Sequence, residues 1–145
     1  MDRILVRPSG PLSGDVKING AKNSALKLMA ACTLAQGTYL LKEVPDITDV
    51  QSMAELLRSM GLTVRNLENN QIEIVNPGDI TPEAPYEQVE KMRASIVVLG
   101  PLVSTYGKAR VALPGGDDFG PRPIDMHLKG LEALGVRFSS EHGYI

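Results

Sequence analysis

One cysteine, no tryptophan and an aromatic content of only 4% mark this chain of 145 residues. A single thiol, Cys32, excludes an intrachain disulfide and any metal site built on cysteines. It ends the apolar run Leu28-Met29-Ala30-Ala31-Cys32, which predicts a buried, inert thiol. Long hydrophobic runs are missing too. The longest, Ala94 to Val103, is interrupted by Gly100-Pro101 and falls far short of the roughly 20 residues that span a bilayer. The opening Met1-Asp2-Arg3-Ile4-Leu5-Val6 lacks the apolar core and cleavage site of a signal peptide. Charge of one sign is also lacking. The formal net charge is -2, so no global field draws in nucleic acid or an anionic membrane. The expectation is a soluble cytoplasmic protein without nucleic-acid or membrane partners.

What is present is ordinary for a globular domain: 43% hydrophobic and 22% charged residues. Fourteen glycines and ten prolines imply many turns. Two short alternating segments, Ile4–Pro8 and Asp15–Asn19, predict strands. A helix is expected from Asn23 to Ala35, capped by Asn23 or Ser24 and buried on most sides. Next come a strand at Thr38–Glu43, an amphipathic helix from Thr48 or Asp49 to Gly61, and strands at Leu62–Asn66 and Gln71–Val75. Asn76–Pro85 predicts a loop. The pattern then recurs: a helix at Arg93–Thr105, a strand at Lys108–Leu113, a helix at Pro123–Leu134, and strands at Val136–Ser140 and from Tyr144.

The two passes correspond. Gly37 matches Gly107, Val44-Pro45 matches Leu113-Pro114, and Leu57, Met60, Gly61 and Leu62 match Leu131, Leu134, Gly135 and Val136. This predicts an internal repeat of about 70 residues with the order helix, strand, helix, strand, strand, whose apolar faces bury one another. The second unit stops inside its last strand, so the chain is expected to be part of something longer.

Three polar clusters occupy equivalent places in the repeat. They are Lys22-Asn23, Arg93-Ala94-Ser95, and the loop from Leu113 to Pro123. Helix starts attract anions through unpaired N–H groups and the dipole, and a cation there is unfavourable unless an anion neutralises it. For Lys22, Arg93 or Arg122 alone, a surface carboxylate is the simpler partner. All three at helix starts together point to a phosphate or carboxylate ligand. The loop holds three Gly and three Pro in eleven residues around Asp117-Asp118. It has no P-loop ending, and no G-x-G-x-x-G occurs. It is a candidate lid. Adjacent carboxylates raise each other's pKa, so one can serve as general acid near neutral pH. His127 reads as a helix-surface or packing residue, and His142 as an exposed turn residue.

Several strings resemble the UDP-N-acetylglucosamine 1-carboxyvinyltransferases, the enolpyruvyl transferases of peptidoglycan synthesis. They are Gly14-Asp15-Val16-Lys17-Ile18-Asn19-Gly20-Ala21-Lys22-Asn23, Met92-Arg93-Ala94-Ser95, Leu99-Gly100-Pro101-Leu102-Val103, Leu113-Pro114-Gly115-Gly116 and Arg122-Pro123-Ile124-Asp125-Met126-His127. The resemblance implies an α/β fold, an inside-out α/β barrel of repeated units, incomplete in this chain. Residues 1–21 would be strands of the second domain. Residues 22–145 would be two of the three units of the first, at about 22–76 and 86–145. The implied reaction moves the enolpyruvyl group of phosphoenolpyruvate to the 3′-hydroxyl of UDP-N-acetylglucosamine and releases phosphate, with no cofactor and no metal. Lys22 and Asn23 would contact phosphoenolpyruvate, Arg93 the phosphate or nucleotide groups, and Arg122 phosphoenolpyruvate from the lid. Arg122, Pro123, Ile124, Asp125 and Met126 would contact the UDP-sugar.

One position departs from the common pattern. Most members carry a cysteine where Asp117 stands, the proton donor and the target of fosfomycin. Aspartate there implies an active but fosfomycin-resistant enzyme, since a carboxylate is a poorer nucleophile than a thiolate. The nearest rival is a 5-enolpyruvylshikimate-3-phosphate synthase. Its helix start is rich in Ser and Arg, whereas here it reads Ala21-Lys22-Asn23-Ser24-Ala25-Leu26. A non-catalytic UDP-sugar-binding paralogue is the reading from another class. The 145 residues alone are expected to be inactive, because half the cleft lies elsewhere.

Overall fold

The computed structural model describes residues 3–89, 92–113 and 124–145. Chain order gives α1 (Lys22–Ala31), β1 (Gly37–Leu41), α2 (Thr48–Ser59), β2 (Thr63–Leu67), β3 (Gln71–Asn76), β4 (Glu83–Ala84) and the single-turn α3 (Tyr86–Val89). A 3-10 segment (Arg93–Val98), α4 (Leu99–Tyr106), β5 (Arg110–Val111) and α5 (Asp125–Ala133) follow.

β1, β3 and β2 form an antiparallel sheet in that spatial order. Its buried face is set by strict alternation along β3, where Ile72, Ile74 and Asn76 point inward. The register places Tyr39, Ile74 and Val64 in one cross-strand row on that face. The other face carries the directly opposed Arg65 and Glu73, paired at 3.2 Å. β4 and β5 pair in parallel. Beyond them, Val111 and Ile145 exchange two backbone hydrogen bonds of 2.8 Å, and Leu113 donates to the Gly143 carbonyl.

α1 packs on α2, on the 3-10 segment and on β1. Leu26 and Met29 from α1 meet Met53, Leu56 and Leu57 from α2, and its C-cap Met60, in one buried cluster, which also takes in Ile74, Val98, Leu102 and Val111. Methionine fills here the irregular volumes that larger aromatics fill elsewhere. Asn76 ties the cluster to its rim. Its amide donates to the Cys32 carbonyl at 3.0 Å and its oxygen accepts the Gly78 N–H at 2.8 Å.

Several expectations need correction. Residues 4–8 and 15–19 form no strand and are exposed, because a strand needs a partner and none reaches them here. Val136–Ser140 forms no strand, and Tyr144 makes only isolated bridges to Ala112 and Glu141. α1 ends at Ala31, in a turn over Cys32–Leu34, and starts at Lys22. Ala21, not Asn23 or Ser24, is its N-cap, with no side-chain cap. α1 is also one-sided: Ala25, Leu26, Met29 and Ala30 are buried while Leu28 is 55% exposed. The helix expected over 93–105 breaks into a 3-10 segment and α4. Pro101 has no N–H to continue an earlier turn, so a fresh α-helix begins just before it. The expected loop Asn76–Pro85 contains β4.

Candidate active site

The starts of three elements define the candidate site. Lys22 opens α1 and Asp49 lies in the first turn of α2; their side chains join at 2.8 Å, which places the two starts side by side. The third element is fixed from its far end. Thr105 of α4 donates to the Leu34 carbonyl just beyond α1, and Tyr106 donates to the Gly78 carbonyl. With α4 finishing beside the finish of α1, and the 3-10 segment packed along α1, the two run in the same direction. Arg93, the first residue of that segment, therefore opens it at the end where Lys22 opens α1.

Three contacts fix the chain around the approach to Lys22. Gly20 lies against the backbone of Glu43, so a Cβ at Gly20 would collide with the Glu43 carbonyl oxygen. Glu43 adopts φ 55°, a left-handed conformation unusual for a residue with a side chain. The adjoining Val44 N–H is bonded to the Asn70 carbonyl at 2.8 Å, so the segment is pinned to the β2–β3 turn. Lys17 also pairs with Glu43 at 3.1 Å. The glycine before Ala21-Lys22-Asn23 is thus a requirement of close approach.

Sequence reasoning missed Asp49 as a partner and named it only as a helix start. The cation at the start of α1 does have a carboxylate neighbour, 27 residues on in the chain, within the first turn of an amphipathic helix. Asn23 is exposed beside Lys22. Ile124 is the N-cap of α5, Asp125 pairs with Lys129 at 3.3 Å, and Met126 is 73% exposed. Asp117, Arg122 and Pro123 lie outside the described residues. His127 and His142 are exposed, as expected. Cys32 is buried, and burial pushes its thiol from 9.0 up to about 11.

The profile of the family described as EPSP synthase (3-phosphoshikimate 1-carboxyvinyltransferase) matches residues 6–145. The chain belongs to this enolpyruvyl transferase family. Among its relatives, a UDP-N-acetylglucosamine 1-carboxyvinyltransferase of Anaeromyxobacter sp. (strain Fw109-5) is 52% identical over 147 residues, covering 100% of this chain and 35% of the relative. One from Cellvibrio japonicus (strain Ueda107) is 49% identical over 146 residues, covering 100% and 34%. The chain thus spans about a third of the length of these relatives.

Solved enolpyruvyl transferase structures share the fold. The enolpyruvyl transferase NikO from Streptomyces tendae superposes with a TM-score of 0.75 at 24% identity, over 92% of this chain and 29% of that one. EPSP synthase from Acinetobacter baumannii gives 0.64 at 18% identity, over 91% and 31%. The fold is therefore a partial α/β domain of the enolpyruvyl transferase type. No helix among the described residues is long and apolar enough to cross a membrane.

Proposed function

We propose that this chain is the segment of a UDP-N-acetylglucosamine 1-carboxyvinyltransferase that binds phosphoenolpyruvate, acting in the cytoplasm in cell-wall synthesis. The observation that carries the reading is about 50% identity, along the whole chain, to relatives of that name. The place of Lys22 at the start of α1, beside the start of α2, supports it, since helix starts attract anions.

The chemistry follows from the residue types. Lys22, Arg93 and Arg122 hold the phosphate and carboxylate of phosphoenolpyruvate, with Asn23 beside Lys22. The Asp117 carboxylic acid gives its proton to the methylene carbon, C3, and positive charge develops at C2. The 3′-hydroxyl oxygen of the sugar bonds to C2 and loses its proton to a base. The tetrahedral adduct then loses a proton from C3 and phosphate from C2, and the enol ether forms. Arg122, Pro123, Ile124, Asp125 and Met126 would face the UDP-sugar. Residues 1–21 are read as strands of a second domain, and 22–76 and 86–145 as two repeat units. The alternating Ile4, Val6, Val16 and Ile18, each at least 84% exposed, support the first assignment.

The family profile's own description names a shikimate enzyme, so the acceptor is the point to test. Phosphate release by the full-length gene product should require phosphoenolpyruvate and UDP-N-acetylglucosamine. Release with shikimate 3-phosphate instead would overturn the assignment.

A further inference from the structure

We infer that Asp49 is a positioning residue for phosphoenolpyruvate binding, acting by holding the Lys22 ammonium at the shared start of α1 and α2. The inference rests on the function proposed above. Its geometry is the 2.8 Å contact between Lys22 Nζ and Asp49 Oδ2.

The electrostatics favour this division of labour. Lys22 stands at the positive end of a ten-residue helix, where its charge is repelled. Asp49 stands at the positive end of a twelve-residue helix, where a carboxylate is favoured. The carboxylate is thus stable where it is and gives the ammonium a fixed direction at the helix start. The starts of α1 and α2 both add positive potential at this end, as an incoming anion requires.

Asp49 is also mounted on a stiff base. The segment before it is bonded at Val44 to Asn70, pressed at Glu43 against Gly20, and joined across the helix start by the 3.0 Å Gln51–Asp46 hydrogen bond. Stability alone gives the pair little purpose. Its side chains are 52% and 36% exposed, and pairs so exposed add almost nothing to folding. A fixed direction for the Lys22 amine is what the contact provides. Small misplacements of a binding group are costly in rate.

The test uses the full-length gene product with Asp49→Asn and Asp49→Glu. Asp49→Asn should raise KM for phosphoenolpyruvate about 10- to 100-fold, with KM for UDP-N-acetylglucosamine and the melting temperature nearly unchanged, and Asp49→Glu should restore most of the loss. An unchanged KM for phosphoenolpyruvate, or an equal loss toward both substrates with a lowered melting temperature, would overturn the inference. A second readout needs no turnover. The 15N signal of the Lys22 ammonium should persist in the wild type and in Asp49→Glu and exchange out in Asp49→Asn; an identical signal in all three overturns the inference. A wild-type protein that transfers no enolpyruvyl group defeats the functional reading alone. Phosphoenolpyruvate titrated against that ammonium signal then decides: an affinity about tenfold weaker in Asp49→Asn upholds the role of Asp49, and an equal affinity removes it.

Discussion

The proton-donor role proposed for Asp117 has specific consequences. Asp117→Asn keeps the size and polarity of the side chain but has no acidic proton, so turnover should fall at least about 100-fold in the full-length gene product, the scale of general acid catalysis. Phosphoenolpyruvate should still bind; a variant that turns over normally would take the proton-donor role from Asp117. Aspartate at this position also predicts no time-dependent inactivation by fosfomycin, since the carboxylate is a weak nucleophile and the lone thiol, Cys32, is buried. Progressive loss of activity in the presence of the epoxide would contradict this.

Cys32 also has a pH signature. Its folded-state thiol holds its proton up to about 11, against 9.0 for an exposed thiol. Below pH 9 both states are protonated and the contribution is fully present. Between pH 9 and 11 the unfolded chain ionises while the folded one does not, so stability falls as pH rises, by up to about 1.4 kcal/mol per pH unit. Urea midpoints of wild type and Cys32→Ala measured at pH 8 and 10.5 should show a steeper decline in the wild type. Parallel declines would mean the thiol is not protected in the fold.

Elements with a strong local signal were legible in the sequence. α2 begins at Thr48 as its pattern implies, because Val50, Met53, Leu56 and Leu57 repeat at helical spacing and Gly61 follows with φ 104°. β2 and β3 were legible within a residue, since Asn69 and Asn70 take the left-handed conformations of a tight turn. What did not show locally were long-range effects. Pro101 splits a continuous apolar run into two helix types, and Asp49 meets Lys22 only because α1 and α2 pack with their starts together. Asn76, read as the start of a loop, proves to be a buried clamp. Asn76→Ala would leave the Cys32 carbonyl and Gly78 N–H without partners and should cost about 1–3 kcal/mol in urea unfolding. A loss below that range would show that other groups or water replace the amide.

At the scale of the whole molecule, the N-terminal arm, residues 3–19, is exposed along its length. Ile18 is 88% exposed and Val16 87%, and their alternation is that of a strand with one face to bury. If residues 1–21 pair within a second domain, Ile18→Lys should leave the melting of the 145-residue chain unchanged. It should destabilise the full-length gene product by about 2 kcal/mol or more, the scale of a lost buried aliphatic side chain. Equal melting in both contexts would argue that the arm stays in solvent. Of the two passes expected from glycine stops and apolar spacing, the first forms a three-stranded sheet, while the described residues of the second form β5 and isolated bridges.

We propose that the Lys22–Asp49 end of this fold serves enolpyruvyl transfer to a UDP-sugar. The most direct measurement is phosphate release by the full-length gene product with phosphoenolpyruvate and either UDP-N-acetylglucosamine or shikimate 3-phosphate. Release with the UDP-sugar, lost in Lys22→Ala, is the result predicted. Release with shikimate 3-phosphate only, or release that survives Lys22→Ala unchanged, would contradict it.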